Sequence, residues 1–390
     1  MSADRGSTAF PEVVQFGKRH NLSGAAQEEL QGLMSASLNL TSKRVTVAVP
    51  ASVAHLGPGL DSCGLALDIW DEITVEYGAE FDLELAGNCQ QVPRSREQNL
   101  AAAGVASAFA SMGREAPAVR MSCVHRIPWG RGLGAESASF VGGFLAGRVL
   151  CGEEVSALAG GERAPSAGGE ATPGEKKNNV DIMLQAAIAR GWSVGNVCPA
   201  IFGALQIGVE TPTGVRSHRV PAPNGIVCAL FVPDESKEGL PMSTEFVERK
   251  AAVFNVGHMA LLINCFCSGN FDMFAKAMED TVSQEHCASQ FPWSTEVIKA
   301  ATAAGASGAC LCGYGPSVFA LITGRTGDVL AQSSSNDLER SVARAMLAKA
   351  DEGGVPGRVL IAKPADIGAH VVAQKSELGI EGNDRIIYFQ

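Results

Sequence analysis

From residue 44 onward the chain switches repeatedly between two kinds of hydrophobic patterning. "RVTVAVPASVAHLG" (44–57) carries a β-branched run, and "DEITVEY" (71–77) and "FDLELAG" (81–87) follow with apolar side chains at every second position, which predicts a strand-rich start. In "NLAAAGVASAFASMG" (99–113) small apolar residues recur at helical spacing and the pattern stops on a glycine. "AVRMSCVHRIP" (118–128) reads as the next strand, and "ASFVGGFLAGRVL" (138–150) as a helix whose Gly and Ala allow tight packing. A helix, "VDIMLQAAIARG" (180–191), and a strand, "ALQIGVE" (204–210), close the first half. The second half opens on the buried strand "GIVCALFVPD" (225–234) and runs through a helical stretch over 250–280. It then crosses the glycine-rich segment 305–324 and ends on a polar helix and the strand "GRVLIAKPA" (357–365). Alternating strands and helices in both halves predict a two-domain α+β architecture, with no internal repeat.

Outside these elements the patterning fails. Residues 1–42 are polar and Ser/Ala-rich, with a short helix predicted over "GAAQEELQGLMSAS", and read as an N-terminal extension. Residues 152–178 are rich in Gly, Pro, Ala and charge, which predicts a flexible insertion, and 376–390 read as a tail. At 390 residues and 46% hydrophobic side chains the chain can bury a sizeable core. A net charge of −10 with no basic run argues against nucleic acid as a partner. Eleven cysteines include Cys265-Phe-Cys267 and Cys310-Leu-Cys312 but no Cys-x-x-Cys pair, so they read as reduced core thiols in a cytoplasmic protein. The first twenty residues lack the apolar core of a secretory signal, and 18 uninterrupted apolar residues occur nowhere, so no membrane partner is expected. Composition gives no sign of haem, flavin or iron–sulfur chemistry. A monomer and a homodimer both remain open.

Three glycine-rich stretches carry the candidate chemistry. "VPASVAHLGPGLDSCGLALD" (49–68) places Pro58 between two glycines and then the acid Asp61; such a loop can approach a ligand closely, or be an ordinary strand-to-helix turn. "GRGLGAESAS" (130–139) is a glycine-rich turn opening a helix, so its backbone N–H groups and the positive helix pole meet at one spot suited to an anion. It is no Walker loop, because no Gly-Lys-Ser/Thr follows. "GASGACLCGYGPSVFAL" (305–321), with Gly313 and Gly315, can be a tight hairpin or a ligand loop.

In this order and at these separations the three stretches resemble the signature motifs of the GHMP small-molecule kinase superfamily, and in detail those of homoserine kinases. The resemblance covers residues 44 to about 374. The first motif is similar to Pro-Ala-Ser-x-Ala-Asn-Leu-Gly-Pro-Gly-Phe-Asp, and residues 243–265 look like the family's C-terminal domain. The resemblance implies a ribosomal-S5-like N-terminal domain over 43–215, a ferredoxin-like C-terminal domain over 216–375, and a nucleotide lying between them. It also implies ATP and Mg²⁺ as cofactors if kinase activity is retained; no cofactor follows from the residues themselves, and the metal ligands remain unknown.

At ligand-contacting positions the sequence departs from that pattern. Family members carry two serines after Gly-Leu-Gly, where this chain has Ala135 and Glu136 after Gly132, Leu133 and Gly134, followed by Ser137. A carboxylate at position 136 faces the expected γ-phosphate, and like charges a few ångströms apart repel by several kcal/mol at an effective dielectric of about 20. The alternative use of Glu136 is as a first-turn helix cap. The family's second metal-binding Glu aligns with Gln185. The family's His-x-Asp-Asn becomes Ser193, Val194, Gly195 and Asn196, and the Asn that touches homoserine becomes His55, while Asp61 is kept. Ser243 and Thr244 are kept, the Arg-bearing stretch after them is missing, with Arg249 as the nearby substitute, and Cys287 stands where a second carboxylate-binding Arg is expected. Losing two charge-assisted hydrogen bonds of about 1.5–3 kcal/mol each lowers amino-acid affinity by about 100-fold or more.

Three functional readings follow. One is a diverged enzyme of specialised metabolism, with Glu136 as acid–base group, His55 as its partner and a small neutral or apolar substrate near Asp61. A pocket of Gly132, Leu133, Gly134, Ala135, Ser137, Gly313 and Gly315 faces substrate-side residues Ser193, Asn196, Arg249 and Cys287. A second is an ATP- and Mg²⁺-dependent kinase of a small hydroxyl compound, homoserine or a relative. A third is a pseudoenzyme with a binding or regulatory role. His258 and His286 also stand at changed positions, each readable as a core histidine.

Overall fold

The computed structural model describes residues 42–153, 179–212, 214–235, 246–323 and 329–376. The extension over 1–41, residues 154–178 of the expected insertion, the Ser243-Thr244 segment and the tail beyond 376 lie outside the described residues.

The chain forms β1 (Ser42–Ala54), β2 (Cys63–Tyr77), β3 (Asp82–Gly87), α1 (Leu100–Ser111), β4 (Val119–His125), α2 (Ala135–Leu150), α3 (Asn179–Ile188), α4 (Val194–Phe202), β5 (Leu205–Thr211) and β6 (Gly214–Val220). Then come β7 (Val227–Pro233), α5 (Arg249–Ser268), α6 (Phe274–Ala277), α7 (Gln284–Gln290), α8 (Ser294–Ala303), β8 (Gly308–Leu311), β9 (Val318–Ile322), α9 (Val329–Glu352), β10 (Gly357–Ala362) and β11 (His370–Ser376).

β1 is the spine of the first sheet. Its alternate side chains Val45, Val47, Val49, Ala51 and Val53 are all fully buried, and Thr46 meets Thr74 of β2 across the ladder with hydroxyls 2.9 Å apart. The sheet runs β11-β1-β2-β4-β3, and β5 pairs with the first residues of β2 and with β6. α1 starts where Asn99 accepts a hydrogen bond from the Ala102 amide, an N-cap, and packs on α2, whose residues are nearly all buried.

The second sheet is antiparallel in the order β10-β7-β9-β8, the ferredoxin-like arrangement of β7-helices-β8-β9-α9-β10. β7 is buried at every position, which its continuous apolar run foreshadows. Alternate residues of β7 feed two cores. Val227, Ala229 and Phe231 face Val297, Ala301, Val342 and Met346 of α8 and α9, and Cys228, Leu230 and Val232 join Leu262, Phe266 and the first sheet in one continuous core.

Two boundaries differ from expectation. The division at 215/216 falls inside β6, which pairs with β5 from Thr211↔Gly214 to Leu205↔Val220 and so belongs to the first sheet. The last strand, β11, also returns to that sheet and covers the edge of β1, an edge that would otherwise expose unpaired amides. The helical stretch predicted over 250–280 is broken at Gly269, whose φ of +66° ends α5 in a left-handed turn. α5 is long and apolar enough by composition to cross a membrane; here it buries Leu262, Cys265 and Phe266 in the shared core and leaves Val253 and Val256 exposed.

Candidate active site

The three glycine-rich stretches meet where the two sheets adjoin. β1 delivers the first of them. Beyond Ala54 the loop 55–62 is pinned by His55 N–H to Cys63 O (2.9 Å) and Gly59 N–H to His55 O (3.0 Å). His55, Leu56 and Leu60 all take positive φ (73°, 47° and 46°), a conformation non-glycine residues rarely adopt, so neighbouring contacts hold the loop in strain of the kind concentrated at ligand sites. Buried Leu56 is its anchor.

His55 points back over this loop. Its Nε2 lies 3.2 Å from Asp61 Oδ1, its ring meets the Tyr314 ring edge-on at 4.6 Å, and the Tyr314 hydroxyl donates to Asp61 Oδ2 at 3.2 Å. His55 is 3% exposed and its Nδ1 has no hydrogen-bond partner among the described residues, whereas the Asp61 side chain is 56% exposed. The His55 hydrogen bond is the main influence holding the Asp61 carboxyl below its ordinary range, and the Tyr314 bond adds to it. Burial first, and the Asp61 charge second, push the Tyr314 phenol up, so it stays a donor.

A fully buried carboxylate sets the second stretch in place. Asp71 of β2 accepts from His125 Nδ1 (2.6 Å), Arg126 N–H (2.7 Å) and Ile127 N–H (2.8 Å), fixing the end of β4 directly before the loop. The loop then turns through Gly130, Gly132 and Gly134, each with positive φ. A side chain on Gly132 would collide with the backbone oxygens of Cys312 and Gly315, at 2.5 and 2.6 Å from its Cβ. Buried Leu133 accepts from Ser52 N–H (3.0 Å), Ala135 is buried, and Ser137 donates its hydroxyl to Gly134 O (3.0 Å). The Arg131 guanidinium, braced within the loop on Trp129 O (2.8 Å), clamps it to the end of β7 in the second sheet through Pro233 O (2.8 Å) and Asp234 O.

Glu136, half-buried in the first turn of α2, folds back over this loop: its Oε1 accepts from Gly130 N–H at 3.1 Å. The carboxylate thereby takes one of the amides the glycine turn offers an anion. The third stretch closes on the other two through Gly313 N–H to Ala54 O (3.1 Å) and Ser317 N–H to Arg131 O (3.4 Å). Gly315 packs on the Phe291 ring.

The remaining expected residues divide. Asn196 stands beside the loop and accepts from Ser52 Oγ at 3.2 Å. Ser193 precedes α4 with its hydroxyl buried and without a hydrogen-bond partner among the described residues. Gly195 lies against β2, where a side chain at position 195 would put its Cβ 2.5 Å from Cys63 O, so the missing acid coincides with a close backbone contact. Cys287 is 2% exposed, in the second core beneath Tyr314, its thiol pushed up to about 11 by burial and the Asp280 charge. Arg249 is exposed at the first position of α5, about 15 Å along the helix axis from Met259, which borders Gly59. Gln185 points at Gly214 on β6, not at the glycine turn. His258 bonds Lys276 O and His286 lies beside Gln290. Among the described residues no three His, Cys, Asp or Glu side chains gather as a metal site.

Between the sheets, next to the glycine turn, lies a cavity of about 290 Å³ lined by Asn88, Gln91, Trp129, Arg131, Asp234 and Arg358 among others. Sequence reasoning missed Tyr314, Asp71, His125 and Arg131. The first was legible as a phenol between two glycines; the rest act through folding partners far along the chain.

Comparison with known proteins agrees with this geometry. The family model described as GHMP kinases C terminal matches residues 262–349. A homoserine kinase of Moorella thermoacetica is 30% identical over 286 residues, 72% of this chain and 88% of that protein. One of Desulfitobacterium hafniense is 28% identical over 318 residues, 80% of this chain and 98% of that protein. The crystal structure of a homoserine kinase from Cytophaga hutchinsonii superposes with a TM-score of 0.67 at 20% identity, over 85% of this chain and 98% of that one.

Proposed function

Since the chain belongs to the homoserine kinase family of the GHMP superfamily, we propose that it is a small-molecule enzyme of that fold in which Glu136 serves as an acid–base group on a neutral or apolar metabolite. One observation carries this reading: Glu136 Oε1 holds the Gly130 amide, so the anion position of the turn is filled by the protein's own carboxylate. A terminal phosphate oxygen about 4 Å from that charge meets a repulsion of about 4 kcal/mol at an effective dielectric of about 20, unless a cation bridges the two.

In this reading the cleft has two poles. Glu136 accepts or returns a proton at one, and the His55-Asp61-Tyr314 group receives a substrate hydroxyl at the other. His55 serves Asp61 and makes no hydrogen bond to Glu136; about 10 Å of extended strand separates Ser52, at the glycine turn, from His55. The eleven free thiols, nine of them buried, support a cytoplasmic setting.

A second reading has its own observation. GHMP kinases use ATP, usually with Mg²⁺, and the 290 Å³ cavity beside the turn has two cations, Arg131 and Arg358, on its wall, a charge suited to a phosphate-bearing ligand. Glu136 would then carry the metal. Calorimetric titration with ATP, with and without Mg²⁺, separates the two: the acid–base reading expects no saturable binding below millimolar concentrations, and micromolar Mg²⁺-dependent binding would replace it with the kinase reading.

A further inference from the structure

One face of α5 is apolar and exposed. Arg249, Val253, Val256, Ala260 and Cys267 are exposed and Ile263 is half-buried, at alternating steps of four and three residues, the spacing of a seam between paired helices. Val256 is 72% exposed and Phe246, just before the helix, 88%. Single exposed apolar side chains are ordinary, but a strip about 27 Å long is not. Gly257 flanks its middle. Glycine weakens a helix interior, yet no described residue demands one here, since a Cβ at Gly257 would meet no atom within 4 Å. It leaves room for a second backbone to approach from outside. The seam reads the same in both directions, so two copies pair antiparallel with Val253 against the partner's Ile263, Val256 against the partner's Ala260 and Arg249 against the partner's Cys267. Charge agrees with that direction. Arg249 and Lys250 stand in the first turn, where the positive helix pole disfavours cations, and α5 has no acid in that turn and no base in its last one. Antiparallel pairing brings both cations beside the partner's last turn, whose negative pole favours them, with Asp272 exposed just beyond. A membrane is the poorer occupant, because anionic headgroups repel a chain of net charge −10.

We propose that α5 is the contact face of a homodimer, two copies packing antiparallel along this seam across a twofold axis between Val256 and Ala260. Met259, on the opposite side of α5, borders Gly59, so the helix pair backs the loop that carries Asp61. This holds whatever the cleft binds.

Sedimentation of the full chain over a concentration series tests the proposal. The wild type is a dimer that dissociates on dilution. Ala260→Glu sediments as a monomer yet melts no earlier than the dilute wild type, and Gly257→Leu, which favours the isolated helix, weakens the dimer about tenfold or more. Met112→Glu, at an exposed apolar position ending α1, leaves the dimer intact. Arg249→Cys sets a thiol against the partner's Cys267 and about 27 Å along the helix from its own, so oxidation by air with a copper catalyst links two copies through a disulfide that adding Cys267→Ser removes. Both positions lie at the open ends of the seam, where Cys267 stays within reach of reagents. A wild type still monomeric at about 100 µM, which would leave the face to residues 1–41 or another partner, overturns the proposal. So does a dimer that survives Ala260→Glu, one that Arg249→Cys fails to cross-link, or binding to lipid vesicles that Ala260→Glu abolishes.

Discussion

Glu136→Gln distinguishes an acid that fills the anion site from one that carries a metal, because the two predict opposite signs. The substitution removes one charge and keeps an oxygen able to accept from Gly130 N–H, so the local backbone bond at 3.1 Å survives. A phosphate oxygen entering the turn would pass within about 4 Å of the side chain, a repulsion of about 4 kcal/mol at an effective dielectric of about 20 and about 1 kcal/mol in water. Glu136 is only half-buried, so solvent screening places the effect near the lower figure, about 1–2 kcal/mol. The variant is therefore expected to bind ATP or pyrophosphate about 5–30-fold more tightly than the wild type when Mg²⁺ is absent. The assay is calorimetry at one fixed ionic strength, since salt weakens both the repulsion and the binding. Equal or weaker binding by the variant without metal, or a Mg²⁺-dependent affinity that it abolishes, would refute the argument that the carboxylate stands in for phosphate.

Three further expectations test the scaffold. Asp71→Asn cannot accept from all three donors that Asp71 holds and lowers stability by about 3–5 kcal/mol, read from urea unfolding; a loss under about 1 kcal/mol would show that the buried His125 pair is not what fixes the loop. Thiol labelling of the native protein is fastest at exposed Cys267, slower at half-buried Cys89, and withheld until unfolding at sites such as Cys63, whose thiol burial pushes up to about 12; Cys267→Ser should remove the fast phase, and its persistence would contradict the exposure pattern. Asp61 titrates below the ordinary carboxylate range when folded, so its contribution is complete above the unfolded carboxylate pKa and fades as pH falls through the folded one; the stability deficit of Asp61→Asn relative to wild type should shrink on acidification, and a deficit that grows would reverse the sign.

Much of the fold was legible because its signals are local. The β-branched run of β1, the unbroken apolar run of β7 and the helically spaced small residues of α1 each state their element within a few residues. What was hidden depends on partners distant in sequence. Nothing in residues 370–376 says that they return to pair with β1 instead of joining the second sheet, because an edge is defined only once the rest of the sheet exists. The site shows the same division. Glu136 was visible as a charge where a hydroxyl was expected, and its partner Gly130 lies six residues away. Tyr314 meets Asp61 across 253 residues, and so His55 was assigned to Glu136 when its hydrogen bond goes to Asp61.

The glycines that announce the family need not testify to what the cleft binds. Gly132 is required because the oxygens of Cys312 and Gly315 occupy the space of a side chain, and Gly134 because Ser52 Oγ would lie 2.1 Å from its Cβ. Both constraints come from one glycine stretch packing on its neighbours, with no ligand involved. The signature therefore persists in any sequence that keeps the three stretches closed on one another, whether or not a triphosphate still enters. Residues whose side chains reach into the cleft are under no such packing demand. Chemistry in this chain is accordingly to be read from Glu136, His55, Asp61 and Tyr314, and the glycines report only that the walls around them stand.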